Sequence, residues 1–233
     1  MSWRASVLTL FPEMFPGVLG HSLLGRALQK NIWSLDVRDI REHGLGKHRT
    51  VDDTPSGGGP GMVMRADVAC AAVDAARVAN PEVPAIYLSP RGAPLTQARV
   101  KELSAGPGAI LLCGRFEGLD QRAIEARNLE EISIGDFVLA GGEIAAQALI
   151  EAAVRLLPGV LGAEASPQEE SFSHGLLEYP QFTRPQTFEG RDIPDVLTGG
   201  NHKEISKWRQ GEAERLTKAR RPDLWTLFEK QKH

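Results

Sequence analysis

Three short stretches of this 233-residue chain bring small and polar residues together: YLSPRG (87–92), CGRFEGLD (113–120) and SIGDFVLAGGE (133–143). Glycines at 114, 135, 141 and 142 remove the side chains that hold a backbone away from a bound molecule. Main-chain N–H and C=O groups bared in this way can recognise a polar small molecule by hydrogen bonds, without a charged anchor. Any one stretch reads equally well as a tight turn, whereas the three together favour one shared ligand site.

The common alternatives fail on spacing. No G-x-x-x-x-G-K-[ST] and no G-x-G-x-x-G occurs, so neither a P-loop nor a dinucleotide fold has its phosphate cradle. The six histidines never pair at i+4 and no C-x-x-C exists, which argues against zinc. No G-x-S-x-G elbow presents a serine nucleophile.

The elements that must position these stretches alternate. Ala5–Phe11, Trp33–Asp39, Ala85–Ser89, Ala109–Cys113 and Ile132–Leu139 have strand character. His21–Lys30, Ala66–Ala79, Thr96–Leu103, Asp120–Ala126 and Gly142–Leu157 have helical composition. The last of these has Ile144, Ala145, Ala148, Leu149, Ala152 and Leu156 as its expected apolar face. This β-α order predicts an α/β fold with a mostly parallel sheet and helices on both faces. In such a sheet ligands bind beyond the carboxyl ends of the strands, where the three stretches fall.

Two segments break the alternation. Residues 42–61 (EHGLGKHRTVDDTPSGGGPG) form about twenty residues of loop chemistry, a length that suggests function. Residues 158–173 are polar, with prolines at 158 and 167, and read as an interdomain linker. Beyond it, 179–194 is rich in Pro, Arg and aromatics, and Asn201 with Glu204 has the spacing of a capping box. The expected division is a domain at 1–160, a linker at 161–175 and a small mainly helical domain at 176–233.

Composition sets the outer limits. Apolar residues at 42% and charged residues at 24% are ordinary for a globular protein. No apolar run approaches the ~18 residues of a membrane span, and the run near the N-terminus is too short for a signal peptide. Two cysteines, Cys70 and Cys113, both in apolar segments, read as buried reduced thiols of a cytoplasmic protein. The net charge of −3 hides an asymmetry. Residues 201–233 carry nine Lys or Arg against five Asp or Glu, and the other 200 carry 18 against 25. A basic tail on an acidic body fits a polyanionic partner and fits a solvated helical face equally well.

The three stretches do not stand alone. With LFPEMF (10–15), HRTVDDTPSGGGPGM (48–62), RLLPGVLG (155–162), ESFSHGLLEYPQFTRP (170–185) and TGGNHKEISKWR (198–209), they closely resemble the bacterial tRNA (guanine-N1)-methyltransferases, the TrmD family. The match runs in order through nearly the whole chain.

That resemblance implies a SPOUT-class fold with a trefoil knot, a topology that periodicity alone would not suggest. It implies S-adenosylmethionine as methyl donor, held bent in the knot by Tyr87, Leu88, Ser89, Pro90, Gly114, Ser133, Ile134, Gly135, Asp136, Phe137, Val138, Leu139, Gly141 and Gly142. The substrate it implies is tRNA, methylated at N1 of the guanine 3′ of the anticodon. It further implies a homodimer, with the active site between one subunit's knot and the other's C-terminal domain. Arg155, before the P-G turn, matches the family's basic catalytic residue, and Glu117 a further acidic position. The family's catalytic carboxylate maps on Glu170, where Asp is the common form, so Glu170 and its neighbour Glu169 both stay in play. His48, Arg49, Glu178, Arg184 and His202 are the candidates for tRNA contact. Tyr179, Phe182 and Phe188 are candidates for stacking on a single-stranded loop. A magnesium ion accompanies the activity in the family, although no dedicated cage is visible in this sequence. Two other readings compete: a knotted RNA-binding protein without turnover, and a methyltransferase acting on a different RNA.

Overall fold

β-Branched and leucine-rich runs with no charge between them have to be covered on both faces, and in this chain they are. The computed structural model describes residues 2–162 and 170–231. The chain divides into two compact units, Met1–Gly162 and Ala163–His233.

The first unit is built on β1 (Trp3–Thr9), α1 (Ser22–Gln29), β2 (Trp33–Asp39), β3 (Asp52–Asp53), β4 (Val63–Met64) and α2 (Ala66–Ala79). There follow β5 (Ala85–Pro94), α3 (Gln97–Ala105), β6 (Gly108–Cys113), α4 (Gln121–Arg127), β7 (Glu130–Ser133) and α5 (Glu143–Val154). Five strands form one parallel sheet in the order β2-β1-β6-β5-β7. Side chains alternate between its two faces. Ala109, Leu111 and Cys113 of β6 join one core with Leu24, Leu103, Leu149 and Ile150. Ile110 and Leu112 join the other with Val68, Ala72, Val73 and Ile124. The sheet is therefore sandwiched between α1, α3 and α5 on one side and α2 and α4 on the other.

Local chemistry sets the helix starts. Thr96 Oγ1 accepts the Arg99 N–H at 3.2 Å to start α3, and Asp120 Oδ1 accepts the Arg122 N–H at 2.9 Å to start α4.

Several expectations need correction. The strand expected over Ile132–Leu139 stops at Ser133. Gly135, at φ +153°, turns the chain, so Phe137 and Val138 stay out of the core, 53% and 82% exposed. β1 ends at Thr9 rather than Phe11, because the Phe11 N–H turns back to Thr9 Oγ1 at 2.9 Å. On α5 the buried face is Ala145, Ala146, Leu149, Ile150, Ala153 and Val154, while Ile144 and Ala148 are exposed. Small alanines had blurred the helical phase. The long loop at 42–61 carries structure of its own: Leu45 and Thr50 bridge across a turn, and β3 pairs antiparallel with β4. Cys70 is only partly buried, whereas Cys113 is fully so.

The second unit holds a two-stranded hairpin, β8 (Thr187–Phe188) and β9 (Arg191–Asp192), then α6 (Asp195–Thr198), α7 (His202–Arg220) and α8 (Pro222–Gln231). Glu189 and Gly190, both at positive φ, make the two-residue hairpin turn. Asn201 caps α7, its Oδ1 accepting from the Lys203 and Glu204 N–H groups. Little of this unit is hidden: among its described residues only Leu176, Ala213 and Thr217 are buried. Thr217 acts as a clasp, its hydroxyl accepting the Leu177 N–H at 2.8 Å and donating to the Ala213 carbonyl at 2.7 Å. Among the described residues no helix is long and apolar enough to cross a membrane.

Candidate functional site

The sheet leaves a gap where β5 misbehaves. Leu88 and Ala93 of β5 both pair with Ile132 of β7, so Ser89–Gly92 are ejected from the ladder as a loop. Gly92 makes the ejection possible, since a Cβ there would stand 2.4 Å from the backbone of Glu131 and Ile132. The loop after β6 (Gly114–Leu119) and the loop after β7 (Ile134–Gly142) rise on either side of it.

These three segments enclose a cavity of about 350 Å³, within the range of small-molecule sites. Thirteen of the fourteen residues expected to hold the methyl donor line it: Tyr87 to Pro90, Gly114, Ser133 to Gly135, Phe137 to Leu139, Gly141 and Gly142. Asp136 is the exception and is exposed outside the wall. Glu117 lines the cavity as well.

The walls are pressed together. A Cβ on Gly114 would lie 2.7 Å from the Tyr87 ring, and one on Gly142 would lie 2.8 Å from Cys113 Cα. The Gly142 N–H donates to the Gly114 carbonyl at 2.9 Å, tying the second loop to the third. Ser133 Oγ accepts the Gly135 N–H at 3.2 Å and donates to the Gly135 carbonyl at 3.0 Å, which tightens the turn after β7. The loop after β6 is also stitched to β4 through Glu117 N–H to Met62 O at 2.9 Å and Met64 N–H to Gly118 O at 2.8 Å. Burial pushes the Tyr87 phenol above its ordinary pKa, partly offset by the Leu119 N–H, so its hydroxyl stays protonated at neutral pH. Burial raises the Cys113 thiol well above its usual range, making it an inert core residue.

Several lining residues were missed from sequence: Arg91, Arg115, Phe116, Gly118, Leu119, Ile132, Ala140 and Ala145. Arg115 was legible in principle, as the one cation inside CGRFEGLD apart from its neighbours' small residues.

Other candidates lie elsewhere. Arg155 caps the C-terminus of α5, its N–H donating to the Glu151 carbonyl at 3.1 Å, and does not line the cavity. His48 and Arg49 sit exposed on the turn closed by Leu45 and Thr50. In the second unit Glu170 is half-buried, and its carbonyl accepts the Ser173 N–H at 3.1 Å. Glu178 is half-buried and accepts from Gln181, while Arg184 and His202 are exposed. Phe182 meets Trp208 edge-on at 6.0 Å, Arg209 lies 4.8 Å over the Tyr179 ring, and Phe188 is exposed on the hairpin. Glu169 and the part of the expected linker at residues 163–169 lie outside the described residues. No group of three His, Cys, Asp or Glu side chains that could hold a metal occurs among the described residues, so they offer no cage for magnesium.

Comparison with known proteins fits this geometry. The sequence model of the family "tRNA (Guanine-1)-methyltransferase TrmD" matches residues 3–227. A tRNA (guanine-N(1)-)-methyltransferase of Rhodopseudomonas palustris is 68% identical over 225 residues, spanning 97% of this chain and 90% of that protein. Proteins of the same description from Nitrobacter winogradskyi and Mesorhizobium japonicum are 66% and 64% identical. They cover 97% and 96% of this chain, and 94% and 97% of their own.

Proposed function

This chain belongs to the TrmD family of tRNA (guanine-1)-methyltransferases, and from that premise we propose how its residues divide the work. The enzyme methylates N1 of guanine in tRNA. The convergence of three glycine-bearing loops on one cavity carries the rest of the reading. A cavity of about 350 Å³ with an apolar wall, main chain bared at Gly114, Gly141 and Gly142, and a protonated Tyr87 hydroxyl suits S-adenosylmethionine. When bound there, the cofactor supplies an electrophilic methyl group on sulfur. Ser89 and Pro90 would form one wall and Ile134, Gly135 and Phe137 to Leu139 the other, excluding water from the transfer path.

The chain's own chemistry concerns the guanine N1 proton. Guanine N1–H is about as weak an acid as a tyrosine, pKa ~10, against ~4.3 for a free glutamate. Full proton transfer before methylation would cost roughly 8 kcal/mol at ~1.36 per unit. Glu170 avoids much of that by accepting the proton as N1 commits its electrons. Arg155 stabilises the negative charge that grows on O6. Glu117, at the cavity wall, orients the base.

The resemblance supports the SPOUT knot within the first unit, a domain division near residues 160 and 176, and the guanine 3′ of the anticodon as target. It also supports a two-fold homodimer in which second-unit residues of one subunit complete the cavity of the other. The exposed apolar surface that Phe137, Val138 and Ile144 leave outside the cavity gives such a dimer something to bury. Arg184, Phe188, His202, Glu178, His48 and Arg49 would then meet the anticodon loop, in the cytoplasm where tRNA matures.

The test is incubation with S-adenosylmethionine and anticodon stem-loops that carry or lack the guanine 3′ of the anticodon, with products read by mass spectrometry of nucleosides. N1-methylguanine from the first alone supports the reading. Transfer to the stem-loop lacking that guanine, or no transfer to either, overturns it.

A further inference from the structure

A buried carboxylate lies just behind the cavity wall. Glu143 opens α5 and is 1% exposed. Its Oε1 accepts from Thr9 Oγ1 at 2.8 Å and from Arg115 Nε at 3.2 Å. Its Oε2 lies 3.0 Å from Arg115 Nη2 but outside hydrogen-bond geometry, so that second contact is ionic. Burying an ion pair gives little net stability compared with an apolar core, which makes its presence here a matter of placement rather than of cohesion.

What the pair places is visible from Arg115. Its Nη1 donates to the Ala140 carbonyl at 3.3 Å, and its guanidinium packs 4.2 Å over the Phe11 ring. A Cβ on Gly141 would stand 2.2 Å from Arg115 Nε, so the guanidinium lies flush against that stretch of main chain. Ala140, Gly141 and Arg115 all line the cavity, and Glu143 does not. Glu143 therefore touches no ligand. Its side chain meets the Ala140–Gly141 stretch through Arg115, while Thr9 anchors it to the end of β1.

We propose that Glu143 is a positioning residue for the methyl donor: it locks Arg115, and Arg115 sets the Ala140–Gly142 wall of the cavity. This rests on the assignment of that cavity to the methyl donor. Glu143→Gln keeps the shape and one acceptor but leaves the guanidinium without its counter-charge. The wall then relaxes, which weakens donor binding more than it slows the chemistry, because Arg155 and Glu170, the residues assigned to O6 and to the proton, lie outside the cavity lining.

The experiment measures S-adenosylmethionine affinity by calorimetry, single-turnover methylation at saturating donor and tRNA, and melting temperature. For Glu143→Gln the affinity should fall about tenfold or more while the saturated rate stays within about threefold, tenfold being ~1.4 kcal/mol. Arg115→Lys, which keeps the charge but loses the fork that spans Glu143 and Ala140, should lose affinity as well. If Glu143→Gln does not fold, Thr9→Val, which removes a donor to Glu143 and lies outside the cavity lining, takes its place and should show the same split. Unchanged affinity in either folded variant, or a rate loss without an affinity loss, overturns the proposal. Gly114→Ala, crowding Tyr87 inside the cavity, separates this from the underlying assignment. If it binds the donor as well as the wild type, the cavity assignment fails. If it loses the donor and Glu143→Gln does not, only the positioning role fails.

Discussion

Replacing Gly92 by alanine should unseat the junction on which the cavity depends. The added Cβ would stand 2.4 Å from Glu131 C and Ile132 N, and real Cβ atoms do not approach other atoms closer than 3.0 Å. Because both neighbours are backbone, no side chain can rotate away, and β7 has to retreat by at least about 0.6 Å. Overpacking of this kind costs ~1–3 kcal/mol. The Leu95 N–H to Ser133 O bond at 2.8 Å, which closes the ladder beyond the ejected loop, adds ~1 kcal/mol if broken. The sum, ~2–4 kcal/mol, should lower the melting temperature by roughly 4–16 °C at ~2–4 °C per kcal/mol for a chain of this size. Donor affinity should fall with it, since Ile132, Ser133 and Ile134 line the cavity. Gly106→Ala is the control: its nearest atom would be 3.5 Å away and its φ is an ordinary −86°. Differential scanning calorimetry of both variants decides. If Gly92→Ala melts with Gly106→Ala, the steric reasoning is wrong.

Arg155→Ala should lower the single-turnover rate at least about a hundredfold, as loss of a transition-state donor does, while leaving donor affinity near normal. A parallel loss of affinity would place it in the binding site instead. Glu170→Gln should abolish methyl transfer without weakening donor binding, and Glu170→Asp should retain activity; a dead Glu169→Gln beside an active Glu170→Gln would move the base by one residue. Gly211→Ala, with nothing within 4 Å of the new methyl and the residue inside α7, should stabilise that helix by ~0.5–1 kcal/mol, seen as slower amide exchange along it. Asp223, held to a pKa of about 2 by Arg221, sits below the ~3.9 of an unfolded aspartate. Its contribution to α8 is therefore complete above that unfolded value and disappears as pH falls through about 2. Carboxyl-carbon NMR should show the low midpoint in the wild type and its rise toward ~3.9 in Arg221→Ala, where the Leu224 N–H still holds it down in part; a wild-type midpoint already near 3.9 would refute the pairing.

The sheet was legible because its strands are short, apolar and separated by turn residues; β2 and α2 coincide with the spans expected for them. The cavity was legible through glycine, whose positions mark where loops must crowd. Two things were hidden. An apolar run looks the same whether it is buried or turned outward, and only the conformation of Gly135 sends Phe137 and Val138 to the surface. Pairs such as Arg115 with Glu143, or Thr9 with Glu143, join residues 28 and 134 positions apart, a distance across which spacing carries no signal. The catalytic assignments to Arg155 and Glu170 came from resemblance alone, since neither residue advertises its chemistry through local pattern.

The sparse interior of the second unit has a thermodynamic consequence for the chain as a whole. Cooperativity arises when most residues lose buried surface together, and here the first unit owns both large cores. Among its described residues the second unit has only Leu176, Ala213 and Thr217 buried, so it has little interior of its own to lose on opening. Heating should accordingly give a broad, weakly endothermic loss of helix before one sharp transition. The sharp midpoint then reports the parallel sheet, and the second unit's own free energy has to be read from amide exchange.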